Sequence, residues 1–532
     1  MSRGGEGWHT GVMMDGFQDA ARWLPWVKAA FLAALAALLL ALWFRRGRDP
    51  VAPKRRIHRA FFAFLAVAFL GVYAYQATWQ LAGFARTPFV EFMKKYNRRP
   101  DSPVKRMVRG EIRDRNGVVL AHDDPDFPGR RVYPIGAAAC HVVGYLDPKY
   151  GMAGLEAADH PFLEGYSVAT REEQSRFGQN LLQAQAPRGN DLVVTLDARL
   201  QQEAMRLLAG RTGAAVAIDP RTGDVLALAS APAFDPHKLA PGLFTGNPDR
   251  SPLLNRALQG LYPPGSTYKV LVAALALERG LEPVLECPAG GFVAAPHTPP
   301  IRDHEFYDAQ RAGRAWGGHG RIGLGRALAK SSNVYFAKLG VQLGPAALWD
   351  HAQRFLMNDS VTLYDGSSGA LRARVGRFPP LQEGQRAAAA QSAIGQGELL
   401  ATPLGMTLVA AAIANDGRLM RPRLTARADP ELLAGCGSPA AMRRLRVLMR
   451  GVVTDGTGRR ADLPGLEVAG KTGTAQTPRG DDHAWFICMA PQAKPRVVVG
   501  VLIEHGGYGS AAALPVAAGL LKKAEELGYF AK

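Results

Sequence analysis

The stretch Pro263-Pro264-Gly265-Ser266-Thr267-Tyr268-Lys269, with the run Val270-Leu271-Val272-Ala273-Ala274-Leu275-Ala276-Leu277 behind it, decides how the rest of the chain is read. Two prolines and a glycine do not sit inside a helix, whereas the run that follows is apolar almost all round. Together they predict a buried helix that begins just after Gly265 and stops near Gly280. Ser266 then lies in the first turn, close to unpaired N–H groups and the positive end of the helix dipole. Lys269, three residues on, shares that face one turn deeper. A serine beside a lysine that burial can strip of its proton is an activated nucleophile. A bare Ser-x-x-Lys is more often a helix cap followed by a lysine reaching for solvent. Ser102-Pro103-Val104-Lys105 is such a chance match, since Pro100 and Pro103 keep it extended and no buried helix follows. Whether Ser266 is a nucleophile therefore depends on the rest of the chain.

A chain of 532 residues is too long for one simple core, so two or more domains are expected. Its 47% hydrophobic and 21% charged content describes a globular protein with an added apolar part. The net charge of +18 is densest around apolar N-terminal segments, which reads as topology signals and lipid contacts, not a nucleic-acid surface. Cys140, Cys287, Cys436 and Cys488 lie far apart and match no zinc-finger or redox spacing, which excludes a disulfide-rich scaffold.

Two segments, Leu24 to Phe44 and Ala60 to Ala82, each hold roughly twenty apolar residues, enough to span a bilayer as helices. Lys28 can snorkel from the first, and Tyr73, Tyr75 and Trp79 crowd the far end of the second like an interfacial belt. The loop between them carries Arg45, Arg46, Arg48, Lys54, Arg55, Arg56 and Arg59 against Asp49 alone. The positive-inside rule puts this loop, 45–59, in the cytoplasm and both chain ends outside. Residues 1–23 are then an extracytoplasmic tail, and everything after Gly83 is tethered outside the inner membrane.

Beyond the membrane, 83–188 reads as a small mixed domain, a pedestal without a catalytic constellation. Within it, Glu111 to Asp114 and Val118 to Ala121 flank Arg115-Asn116-Gly117, a hairpin signal. Residues 189–532 form the large domain. Gly213 to Ser230 reads as two apolar strands about the turn Asp219-Pro220-Arg221-Thr222-Gly223, and Ala198 to Leu208 has helical periodicity. Arg321 to Leu343 reads as largely helical, with Lys330-Ser331-Ser332-Asn333 in its middle. Thr402-Pro403 caps a further helix that ends at Asn415-Asp416-Gly417. Three strands follow, Leu466 to Gln476, Ala484 to Ala490 and Val497 to Glu504, and then a last helix from Ala511 to Leu527. This order predicts an α+β fold, an antiparallel sheet flanked by helices.

Three short patterns then stand in one order: Ser266-x-x-Lys269, Ser331-x-Asn333 and Lys471-Thr472-Gly473. Each alone is weak; all three in this order and context are a strong signal. Ser266 can attack an amide carbonyl while Lys269 takes its proton. Ser331 can relay a proton to the leaving amine, and Asn333 offers an acceptor and a donor to substrate backbone. Lys471 supplies a positive field, the Thr472 and Thr474 hydroxyls can bind a carboxylate, and Gly473 lets a strand approach the substrate closely. The backbone N–H groups of Ser266 and Thr474 are the expected oxyanion hole.

At these residues the chain resembles a penicillin-binding protein. RGEIRDRNGVVLA resembles the family's pedestal opening, and GAAVAIDPRTGDVLALAS, YPPGSTYK, SSNVYF, GQGELLATPLGM and AGKTGTAQ resemble its transpeptidase signatures. No glycosyltransferase-sized segment separates membrane from pedestal, which implies a class B, monofunctional D,D-transpeptidase with the penicillin-binding/β-lactamase-like fold. The resemblance implies that it crosslinks stem peptides of nascent peptidoglycan in elongation, division or a specialised stage, and that β-lactam antibiotics acylate Ser266. It implies a SEDS-family membrane glycan polymerase as partner and no cofactor. Two spans with both ends outside depart from the family's usual single span. A D,D-carboxypeptidase or β-lactamase, a β-lactam sensor and a non-catalytic scaffold with the same fold stay open as alternatives. Cys287, Asp303, His304 and His319, between the first two motifs, are donors that zinc accepts, but their irregular spacing reads as polar loop residues and no metal is assigned to the site.

Overall fold

The structure, a computed structural model, describes residues 61–74, 108–127, 129–165, 188–245, 251–427, 429–477 and 480–531. The chain divides into two compact units, Met1–Tyr96 and Asn97–Lys532. In the first, 61–74 form a helix whose side chains are mostly exposed. Among the described residues no helix is long and apolar enough to cross a membrane. The span 24–44, the basic loop 45–59, the remainder of 60–82 and Ser102-Pro103-Val104-Lys105 lie outside the described residues.

The second unit opens with the expected hairpin: β1 (Ile112–Arg113) pairs antiparallel with β2 (Val119–Asp123). The buried Asp114 carboxylate holds the turn, accepting from Asn116 N and Val118 N at 2.7 and 2.8 Å. Strand β3 (Arg131–Val132) extends one side of this small sheet, and β4 (Leu192–Val193) joins β1 in parallel on the other. The order is therefore β3-β2-β1-β4. Asp114 also accepts from Ala198 N at 2.9 Å, which ties the hairpin to the start of α1 (Ala198–Leu207).

The large sheet runs β7-β8-β9-β5-β6, antiparallel throughout. Its first strands in the chain are β5 (Gly213–Ile218) and β6 (Val225–Ala231). Helices between the strand groups include α2 (Lys269–Glu278), α3 (His304–Arg311), α4 (Leu324–Lys330), α5 (Asn333–Leu343) and α6 (Pro403–Ala414). The chain ends with β7 (Ala469–Ala475), β8 (His483–Ala490), β9 (Val497–Ile503) and α7 (Ala513–Glu526). Side chains alternate across each strand, so Ala214, Val216 and Ile218 enter one core with α2 and α6. Ala215 and Ala217, with Phe486 and Val499, enter a second core against α1 and α7. Both faces are covered, which explains why these strands read as nearly unbroken apolar runs.

The helix expected over Arg321 to Leu343 is two helices, with a strand over Gly318–Ile322 before them. The chain breaks where the motif lies. Ser331 takes the left-handed conformation at φ 59°, uncommon for a residue with a side chain, and ends α4. Ser332 then caps α5, its Oγ accepting from Tyr335 N at 3.2 Å. Apolar periodicity runs through both helices and does not register the break.

Candidate active site

The nucleophile motif sits on a 3-10 turn, Gly265–Tyr268, that leads directly into α2. Backbone contacts hold this turn from two sides. Gly265 N donates to Gly395 O at 2.9 Å, and Trp485 Nε1 of β8 donates to Pro263 O at 2.9 Å. Both glycines have positive φ, and a Cβ on Gly395 would stand 1.9 Å from Gly265 O. The Gly395-Gln396-Gly397 segment thus forms the seat of the nucleophile turn. Ser266 itself is half-buried and faces a cleft of about 1290 Å³.

Beneath the cleft floor lies Lys269, wholly removed from solvent. Its Nζ donates to Ser331 O at 2.5 Å and to Asn333 Oδ1 at 2.7 Å, with Ser331 Oγ at 3.5 Å. Burial pulls its pKa down to about 7, against the opposing charges of Asp303 and Glu305. Lys471, from β7, is equally buried and donates to Ser331 Oγ at 2.8 Å and to Thr472 O at 2.9 Å. Burial, and then the nearby Lys269, drive its pKa well below the ordinary lysine value. The two amines therefore meet on one hydroxyl, and a full positive charge on both is strongly disfavoured.

Asn333 is the first residue of α5, and its anchor is a residue that the sequence patterns did not assign. The fully buried Asp303 carboxylate accepts from Asn333 N, from Val334 N at 3.1 Å and from Ser332 Oγ at 3.1 Å. Asn333 Nδ2 donates to Arg302 O at 3.0 Å. A carboxylate at a helix N-terminus satisfies orphan N–H groups and opposes the dipole, so this loop fixes Asn333 against Lys269. Among the described residues no group of three or more His, Cys, Asp or Glu could hold a metal ion. His319 approaches Asp303 at 3.8 Å and Glu305 at 3.5 Å, while Cys287 Sγ faces Leu285 O at 3.7 Å.

Strand β7 is the edge of the large sheet, and Thr472, Gly473 and Thr474 line the cleft with Ser266, Ser331 and Asn333. A Cβ on Gly473 would come 2.8 Å from Thr267 Cγ2 and 3.0 Å from Trp485 Cβ, so only glycine lets β7 lie this close to the nucleophile turn. A Cβ on Gly265 would meet Thr474 O at 2.5 Å, which sets the backbones of the two motifs side by side. Ser266, Lys269, Ser331, Asn333, Lys471, Thr472, Gly473 and Thr474, drawn from three distant stretches, are thus brought together. The arrangement offers a cleft-facing hydroxyl, a buried amine with a pKa of about 7, a bridging hydroxyl and a hydroxyl-lined strand edge, the set that acyl transfer through a serine ester requires.

The family model of the penicillin binding protein transpeptidase domain matches residues 213–522, and that of the penicillin binding protein A dimerisation domain matches 109–192. The chain is 33% identical over 448 residues to the peptidoglycan D,D-transpeptidase PbpA of Mycolicibacterium smegmatis, covering 77% of this chain and 87% of that protein. It is 30% identical over 459 residues to the peptidoglycan D,D-transpeptidase MrdA of Escherichia coli, covering 72% and 71%. Among solved structures it resembles the ceftriaxone acyl-enzyme complex of penicillin-binding protein A from M. tuberculosis. That likeness has a TM-score of 0.70 at 29% identity and covers 79% of this chain and 99% of the other.

Proposed function

The chain belongs to the penicillin-binding protein transpeptidases, class B, and from that premise we propose that Ser266 is the residue acylated by substrate and by β-lactams. The protein is a serine-type peptidoglycan D,D-transpeptidase. The observation that carries the residue assignment is the buried Lys269, three residues on from the cleft-facing Ser266 where its turn enters α2. A neutral lysine amine has two N–H groups and one lone pair. Ser331 O and Asn333 Oδ1 take two donors, and the lone pair remains to accept the Ser266 proton. Ser266 Oγ then attacks the carbonyl between the two terminal D-alanines, and the oxyanion forms between the N–H groups of Ser266 and Thr474. Removing one such donor typically costs about 3 kcal/mol of transition-state stabilisation.

Ser331 is the relay. Its oxygen accepts from Lys471 Nζ. As the C–N bond breaks, it passes its hydrogen to the leaving amine while taking the proton that Lys269 received from Ser266, Lys269 Nζ standing 3.5 Å from Ser331 Oγ. Terminal D-alanine departs, and an ester joins Ser266 to the donor peptide. The amine of a second stem peptide repeats the steps in reverse: it loses a proton through the same groups, attacks the ester and frees Ser266. Thr472 and Thr474 hold the substrate carboxylate, and Asn333 holds its backbone. Lys471 also orients Ser331 as its hydrogen-bond donor, and burial beside Lys269 lowers its pKa.

The same reading includes the division into pedestal (83–188) and transpeptidase domain (189–532), anchored by apolar spans at 24–44 and 60–82 with the catalytic part outside. Hydropathy and the basic 45–59 loop support it. A SEDS-family glycan polymerase is the partner class that the family resemblance supports.

Labelling with a fluorescent penicillin tests the assignment. The full chain should take a stable label in the membrane fraction, Ser266→Ala should take none, and removal of residues 1–82 should release the label to the soluble fraction. Equal labelling of wild type and Ser266→Ala would sink the nucleophile, and rapid loss of label would indicate a β-lactamase.

A further inference from the structure

Thr457 lines the cleft beside Ser331, Asn333, Thr472 and Thr474, yet has no part in the steps above. It stands in the loop between a long helix, Pro439–Thr454, and a short 3-10 turn, Arg459–Ala461. Three features lock this loop in place. Thr457 N donates to Ala329 O at 3.1 Å, Gly458 N donates to Val452 O at 2.9 Å, and a Cβ on Gly456 would stand 2.3 Å from Ala329 O. Ala329 lies two residues before Ser331, so the loop is fixed to the helix that presents the second motif. Its hydroxyl reaches the third: Thr457 Oγ1 is 2.5 Å from Thr472 Oγ1.

Two hydroxyls this close share one hydrogen, and the other must turn away from the pair. A threonine hydroxyl held by no neighbour turns among staggered positions, and only some of them aim its hydrogen at a ligand. Binding the Thr472 oxygen removes that freedom before substrate arrives. A hydrogen bond to a charged acceptor is worth more than one between neutral groups, so the direction of this one matters most when a carboxylate occupies the cleft.

We infer that Thr457 is a positioning residue for recognition of the substrate's terminal carboxylate, holding the Thr472 hydroxyl in the direction from which it donates to that group. This rests on the carboxylate role given to Thr472 and Thr474 above. Thr457 touches both the second motif's helix and the third motif's strand, so it also fixes the distance between the relay serine and the carboxylate corner.

The test uses the full chain in detergent and measures second-order acylation rates with benzylpenicillin and with its methyl ester, which lacks the charge. Thr457→Val should slow the acid about tenfold and leave the ester unchanged, since one oriented bond to a charged group is lost. Thr457→Ser, which keeps the hydroxyl, should restore the acid rate. Intact ester reactivity in Thr457→Val also shows that the site has folded. Equal slowing of acid and ester, or no slowing of either, overturns the inference. Thr472→Val separates it from the reading beneath. If Thr472→Val abolishes the preference for acid over ester while Thr457→Val keeps it, only the role of Thr457 falls. If the wild type shows no preference, the carboxylate role of Thr472 falls and takes this inference with it.

Discussion

Lys269 shows how one residue's setting determines a rate. Its pKa falls from the usual 10.5 to about 7, so near neutrality it can take a proton without first surrendering one to solvent. Acylation should therefore fall about tenfold per pH unit below pH ~7 and level off above it, as stopped-flow measurement with a chromogenic β-lactam would show. A flat profile from pH 5 to 8 would remove Lys269 as the base. The same shift has a sign in stability. Between pH ~7 and 10.5 the unfolded chain binds the proton more readily, so this contribution is present above the unfolded value and lost as pH falls through that window. Ser266 and Lys269 were legible in the sequence because both lie on one turn, in front of an apolar run. Asp303 and Thr457 were not, because each acts across space: Asp303 anchors Asn333 thirty positions on, and Thr457 meets Thr472 across a loop.

At the level of elements, the site is a junction of backbones. The left-handed Ser331 frees its own carbonyl for Lys269, which an unbroken helix would have engaged in its ladder. Gly395 seats the nucleophile turn. Gly395→Ala adds a methyl group 1.9 Å from Gly265 O at a backbone φ of 76°, and it should cost about 2 kcal/mol or more of stability and slow acylation. Denaturant titration and penicillin labelling measure the two effects, and unchanged values for both would show that the seat is not needed. The helix Pro439–Thr454 was not legible, whereas the five strands of the large sheet and the helices α1, α2, α6 and α7 were readable from apolar runs and their punctuation. Thr402-Pro403, for instance, caps α6 as expected, its hydroxyl accepting from Gly405 N at 2.9 Å. The break between α4 and α5 escaped because a cap serine and a left-handed serine leave no mark on hydrophobic period.

Across the whole second unit, the junction of the short helices Gly154–Ala158 and His160–Leu163 is lashed to residues far along the chain by a buried carboxylate. Asp159 accepts from Tyr364 Oη, from Ser367 N at 2.9 Å and from Arg427 at 3.2 Å, while Arg427 lies 3.7 Å over the Phe162 ring. Removing one member leaves the rest unpaired in a dry setting. Asp159→Ala should lower stability by about 2–3 kcal/mol, and the wild type should unfold in one transition by circular dichroism and calorimetry alike. Two separated transitions would show that pedestal and transpeptidase part independently. The hairpin could be read from its turn signal, whereas this lashing joins residues about two hundred positions apart and has no local pattern. The edge position of β7 in its sheet matters at this scale too. An unpaired strand rim invites other sheets to add to it, and proteins blunt such rims to avoid clumping. Here α3 stands over the approach, joined to the loop after β9 by Tyr508 Oη donating to Asp308 Oδ1 at 2.9 Å and by Arg311 Nη2 donating to Tyr508 Oη at 3.1 Å. The edge thus faces a cleft that His304, Tyr307 and Arg311 of α3 and Tyr508 also line. A wall placed there leaves less room for a second sheet to add to the edge, so the residues that border the cleft also guard against clumping.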